Sequence, residues 1–248
     1  MPADRLSSTA GGNAHFETTQ WGLVAAASAG DENGKIALES LYRSYCAPVY
    51  SFLRRRGFNR QDAQALTQDF FLHLLEKDTL SRADPQKGKF RTFLLGALNF
   101  FIAHFHERAQ AQKRGGGSRL IYLDDQTAEE AYQLADPGKT PEQIFEARWA
   151  ATLMERTIVR LRSDMEAAGK SKLFDELKGF LIDGEDASYQ ELALRVGLSL
   201  GALKTTVHRL RGRYRDLLRE EVTRTVGSPA EVDDEIRALS ASLQSTYR

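Results

Sequence analysis

Between positions 204 and 213 the chain carries Lys204, Thr205, His208, Arg209, Arg211 and Arg213, a run of hydrogen-bond donors with no acid among them. Donors of this kind suit recognition rather than bond breaking. Arginine and lysine donate to guanine O6 and N7 or neutralise phosphates, and threonine and histidine reach base edges or backbone oxygens. A second set, Arg91, Asn99, His104, Arg108, Lys113 and Arg114, lies on the polar side of an apolar segment. Nothing comparable suits catalysis. Cys46 is the one cysteine, the five histidines are scattered, and His104 and His106, two residues apart, do not share a helical face. The triple glycine Gly115 to Gly117 lacks the Lys-Ser/Thr that a phosphate-binding loop requires. The sequence therefore predicts a protein that is not an enzyme, with no cofactor and no metal.

The first donor run must be held by a helix, and the sequence around it supplies one. Ala193 is small where two helices cross, Gly197 stands where a tight turn wants positive φ, and Ser199 is placed to cap the next helix. Leu192, Val196, Leu203, Val207 and Leu210 share one side, which leaves Lys204, Thr205, His208, Arg209 and Arg211 facing outward. This is the pattern of a helix-turn-helix, whose second helix enters the major groove. The alternative is an antiparallel helix pair with a glycine turn and a solvated basic face.

Apolar residues recur at three- and four-residue spacing along most of the chain, strand-like alternation is scarce, and prolines number six, so the fold class is all-α. Residues 1–15 read as a disordered leader with no signal-peptide pattern. Residues 16–116 form a first domain. Thr19 caps its first helix, which carries Trp21, Leu23 and Val24; a second runs from Ile36 to Arg56, a third from Gln61 to Lys77 and a fourth from Phe90 to Gln112. Phe93, Phe101 and Phe105 share the core side of the fourth helix. Residues 117–141 are an acidic, flexible linker, residues 142–226 the helix-turn-helix domain, and residues 227–248 an amphipathic tail with Val232, Ile236, Leu239 and Leu243 on its apolar stripe.

The formal net charge is zero, from 34 Lys plus Arg against 34 Asp plus Glu, so any charged surface is local. It is segmental: residues 82–119 hold eight basic residues against two acids, and residues 195–219 seven against one. Residues 120–148 hold seven acids against two basics, and residues 220–236 six against one. Two basic stretches in two helical domains point to nucleic acid touched at two separated places, unless each is only a solvated face. No apolar run approaches the ~20 residues of a membrane span, and a cytoplasmic protein without a membrane partner is expected.

These residues resemble the bacterial RNA polymerase sigma factors of the extracytoplasmic function group. Ser188-Tyr189, Glu191-Leu192-Ala193, Gly197, Ser199, Gly201, Leu203-Lys204-Thr205 and His208-Arg209-Leu210-Arg211 are similar to the family's C-terminal signature. Tyr45, Val49-Tyr50, Asp62-Ala63, Leu66, Gln68-Asp69-Phe70-Phe71 and Lys89-Phe90-Arg91-Thr92-Phe93-Leu94 are similar to its N-terminal domain. The resemblance implies binding to core RNA polymerase and promoter DNA. It puts the polymerase contact on the third helix, through Asp62, Gln64, Ala65, Gln68, Asp69 and Glu76. It puts minus-ten DNA on the exposed side of the fourth helix and the minus-thirty-five element on the helix-turn-helix. It also allows an anti-sigma partner.

Two departures from the family pattern bear on mechanism. Phe100 and His104 stand where the family carries Asn and Asp in the promoter-melting helix. Gln64 and Ala65 stand where the family has two acids, with Thr67 one turn onward. A phosphothreonine carries about −1.5 to −2 charges and would replace the lost pair, so the sequence suggests a serine/threonine kinase acting at Thr67; the alternative is an ordinary helix-edge threonine. The tail either packs on the C-terminal domain or covers the DNA-reading helix with Glu231, Asp233, Asp234 and Glu235. Other readings of the whole chain are a stand-alone helix-turn-helix regulator and a helical signalling adaptor without a DNA role.

Overall fold

The computed structural model describes residues 20–28, 32–76, 79–84, 87–109, 125–181 and 186–247, in a few of them, including Glu76, His106 and Arg108, the backbone only. The expected leader, the Thr19 cap, Gly115 to Gly117, Lys113 and Arg114 lie outside the described residues. Among the described residues the chain forms α1 (Gln20–Ser28), α2 (Glu32–Arg55), α3 (Arg60–Glu76), α4 (Phe90–Ala109), α5 (Asp125–Gln133), α6 (Pro141–Ala167), α7 (Ser171–Leu177), α8 (Asp186–Val196), α9 (Leu200–Thr223) and α10 (Val232–Thr246), with short 3₁₀ turns and no strand. The all-α fold class stands.

The axle of the fold is α2. Its periodicity suggests one apolar face, yet Ser44, Tyr45, Cys46, Val49, Tyr50, Ser51, Phe52 and Leu53 are all buried, so the helix is enclosed on every side. The reason is that its neighbours come from both halves of the chain: α1, α3 and α5 pack on it, and α6 lies along it. Tyr45 stacks on Trp149 of α6 with ring centroids 6.5 Å apart, and the Arg156 guanidinium donates to Ser44 Oγ at 2.5 Å. One continuous apolar core runs from Val24 to Leu239. The two halves expected as helical domains on either side of a linker are docked against one another in this conformation.

The described part of the acidic segment between the halves is structured. Its acidic composition predicts solvated chain, but residues 125–133 form α5, with Ala128 buried and Glu129 only 7% exposed. Glu129 accepts two hydrogen bonds from Arg54, both at 2.8 Å, and one from the Tyr50 hydroxyl at 2.5 Å. Arg55 donates to the Asp136 and Pro137 carbonyls at 2.8 and 2.9 Å, and both guanidinium groups lie over the Tyr132 ring. The Glu129 carboxylate is thus met by Arg54 and Tyr50 rather than by water. α6 then opens on a capping box in which Thr140 and Gln143 exchange side-chain and backbone hydrogen bonds, with Pro141 at its first turn.

Candidate nucleic-acid and polymerase interface

α8, a tight turn and α9 are compatible with the helix-turn-helix expected around the donor run. Gly197 sits at φ +70, the left-handed region that glycine enters without a Cβ penalty, and the Leu198 amide donates back to the Ala193 carbonyl at 3.0 Å. Ser199 caps α9, its hydroxyl accepting from the Ala202 amide at 3.2 Å. Leu192, Ala193, Leu203, Val207 and Leu210 are buried, and Val196 is half-buried. Lys204, Thr205, His208 and Arg209 are exposed together on the outer side of α9.

Arg211 and Arg213 do not join that group. At ~100° per residue they fall on opposite flanks of the buried stripe Leu203, Val207, Leu210 and Tyr214. The Arg211 Nε donates to the Phe180 carbonyl at 2.8 Å. Arg213 donates to Asp164 of α6 at 2.7 and 3.0 Å, which holds its pKa above the usual arginine value despite slight burial. Both arginines brace α9 against its neighbours.

The first basic set divides in a similar way. Arg91 is corrected: it is 7% exposed, beneath α6 and α10 rather than facing out. Its guanidinium lies 4.5 Å from the Trp149 ring centroid, its Nε donates to Glu146 at 2.7 Å, and it pairs with Glu235 of α10 at 2.6 Å. Burial works to lower its pKa, but Glu146 and Glu235 outweigh that and hold it high. Glu235, 2% exposed, also receives the Lys89 ammonium. Burial works to raise its pKa, and Arg91 and Lys89 overcome this and hold it low. The tail acids therefore do not cover the outer side of α9. Asp233 pairs with Arg219 near the far end of α9, and Glu235 reaches across to the start of α4.

On the outer side of α4, Phe100 is 62% exposed and its ring meets His104 edge-on with centroids 4.2 Å apart. Asn99 is half-buried. It accepts a hydrogen bond from Arg56 and donates to the Leu95 carbonyl. Beside this pair a cleft of about 310 Å³ opens between α3, α4 and the turn at Leu80–Arg82, lined by His73, Arg82, Phe100, Phe101 and His104 among others. Phe93, Phe101 and Phe105, expected as core, are half-buried and packed against it, and Phe101 and Phe105 also line the cleft. The cleft was not visible in the sequence, because His73 and Arg82 come from outside the α4 pattern. The side chain of Arg108 is outside the described residues.

α3 begins with a reciprocal cap: the Asp62 amide donates to Asn59 Oδ1 at 2.9 Å, and Asn59 Nδ2 donates to Asp62 at 2.7 Å. Asp62, Ala65 and Asp69 are exposed and Gln64 and Gln68 half-buried, so the positions suggested for polymerase share an accessible face, while the Glu76 side chain is not described. Thr67 is not at the helix edge but inside, 1% exposed, with its hydroxyl donating to the Ala63 carbonyl at 2.7 Å. In this conformation a kinase has no access to it. No group of three or more potential metal ligands occurs among the described residues, and no described helix is long and apolar enough to cross a membrane.

Residues 41–111, which contain α3, most of α2 and the whole of α4, match the family model of sigma-70 region 2. The chain is 27% identical over 202 residues to the ECF RNA polymerase sigma factor SigE of Mycolicibacterium smegmatis, covering 80% of this chain and 68% of that protein. It is 24% identical over 181 residues to the RNA polymerase sigma factor YlaC of Bacillus subtilis, covering 71% of this chain and 88% of that one. No solved structure gives a significant match.

Proposed function

We propose that the chain acts as an extracytoplasmic function RNA polymerase sigma factor, and from that premise its surfaces divide the work of binding core polymerase and recognising promoters. Residues 16–116 serve as the domain that contacts polymerase and the minus-ten element, and residues 142–226 as the domain that reads the minus-thirty-five element. The observation that carries this is the joint exposure of Lys204, Thr205, His208 and Arg209 on a capped second helix of a helix-turn-helix. Arg209 and Lys204 have the reach and charge for guanine edges and phosphates. On α3, Asp62, Gln64, Ala65, Gln68 and Asp69 offer the polymerase-facing side.

At the minus-ten end, the cleft beside Phe100 and His104 has the size and lining for an unstacked base, which an exposed aromatic ring receives by stacking while Arg82 faces the phosphate. Asn99 and His104 supply polar contacts at its rim. Regulation by a serine/threonine kinase at Thr67 belongs to this reading with one added condition: α3 must open before the hydroxyl is presented. The phosphate then restores negative charge beside Gln64 and Ala65, and two charges cannot return to the interior uncompensated.

Mixing the chain with core polymerase and a promoter library tests the reading. Sequence-selective transcripts that fall strongly with Lys204→Ala plus Arg209→Ala are expected; specific duplex binding without polymerase, and no transcripts with it, points instead to a stand-alone regulator. For the gate, Thr67→Ala should lose transcription in cells; transcription equal to wild type rejects it.

A further inference from the structure

The docking of the two halves has a specific closure. Lys89 and Arg91, at the entry to α4, are held by Glu235 of α10 and Glu146 of α6, and both Arg91 and Glu235 are almost wholly buried. α10 packs on α6 and α9, so Glu235 travels with the C-terminal half while its partners belong to the N-terminal half. A second contact, Arg156 of α6 to Ser44 of α2, closes the same seam. Taking the division of labour proposed above, the two promoter elements lie some 25 base pairs apart, roughly 85 Å at 3.4 Å per step. A compact chain of this length has a radius of gyration of about 18 Å, too small to reach both.

We infer that the docked form is autoinhibited, and that Glu235 of the tail helix is its clasp, occupying within the chain the cationic site at Lys89 and Arg91 until polymerase and promoter DNA draw the halves apart. The inference rests on the sigma-factor reading for what the open form does, but not for the clasp itself. A buried carboxylate shared by two cations suits this role: removing it leaves the buried Arg91 with only Glu146 to answer it and takes the partner from the part-exposed Lys89, so the docked form loses heavily, whereas in the open form all three groups are hydrated. Asp233, two residues earlier on α10, pairs with Arg219 inside the C-terminal half and lacks this leverage.

The chain contains its own reporter. Cys46, the one cysteine, is buried on α2 close enough to α6 for the Arg148 charge to be felt at the thiol; burial is the main cause of its pKa being pushed up to about 11. Its reaction with a maleimide, measured on the full-length chain, therefore reads the opening of the α2–α6 seam. Glu235→Gln is expected to raise the labelling rate more than tenfold with helical circular dichroism unchanged and the radius of gyration increased in solution scattering, while Asp233→Asn labels like wild type. Core polymerase added to wild type should accelerate labelling in the same way. Labelling of Glu235→Gln at the wild-type rate, or Cys46 as protected in the polymerase complex as in the free chain, overturns the inference. If Glu235→Gln loses its helical signal, Lys89→Gln approaches the clasp from the other side, and the same acceleration is expected or the inference fails. A chain that binds no core polymerase defeats the sigma-factor reading, and the Glu235→Gln comparison still decides the clasp.

Discussion

Glu129→Gln isolates the contact by which the acidic segment is folded onto α2. Glutamine keeps an acceptor for the Tyr50 hydroxyl but removes the charge that Arg54 meets at 2.8 Å. Hydrogen bonding to Arg54, the largest cause, and to Tyr50 lowers the Glu129 pKa from 4.5 to about 2 against the opposing effect of burial. At ~1.4 kcal/mol per unit this corresponds to roughly 3 kcal/mol of stability at neutral pH. The folded-state value is depressed, so the contribution is fully present above the unfolded pKa and is lost as pH falls through the folded one. By the same relation about 2 kcal/mol is left at pH 3.5. Urea titrations of both proteins, followed by circular dichroism from pH 7 to 3.5, should show the variant less stable by ~3 kcal/mol at pH 7 with the gap narrowing toward acid. At 2–4 °C per kcal/mol, the corresponding drop in Tm is roughly 6–12 °C. A gap that is below ~0.5 kcal/mol, or unchanged across that range, refutes the assignment of the carboxylate charge as what holds α5 in place.

Two further outcomes separate reading from bracing on α9. Lys204→Ala should leave stability within about 0.5 kcal/mol and reduce the salt dependence of promoter binding by the holoenzyme by about one unit of slope, whereas Arg211→Ala should destabilise the chain by roughly 1.5–3 kcal/mol through loss of its charged bond to the Phe180 carbonyl; thermal melts and salt titrations check both. Gly197→Ala meets no atom within 4 Å at the new methyl, so its cost is the backbone alone, ~1–2 kcal/mol, read by denaturant titration; a loss well above that range refutes a purely conformational role for the glycine.

Local chemistry made the α8–turn–α9 segment legible. Gly197, Ser199 and the spacing of Leu203, Val207 and Leu210 each act within a few residues of themselves, so the turn, the cap and the buried stripe needed no distant partner to be read. The same holds for the start of α3 and for the exposure of Lys204, Thr205, His208 and Arg209. The polar side of α4 was half legible: Phe100 and His104 do face outward, but Arg91 does not, because its partners are 55 and 144 residues away in sequence, at Glu146 and Glu235. Thr67 was misplaced by one step around α3, since an arc drawn from apolar residues omits a threonine whose hydroxyl is satisfied by its own helix.

Composition and spacing by themselves determined an all-helical chain, its motifs, their order and the segmental charge that hides behind a net charge of zero. Only the tertiary structure decided which charges face solvent. Acidic and basic blocks that look like two solvated surfaces and a linker meet instead as Glu129 on Arg54 and Glu235 on Lys89 and Arg91. Helical periodicity is set within a few turns, but an ion pair is set by whichever opposite charge the fold brings within reach, and for these acids that partner lies 75 to 146 residues away.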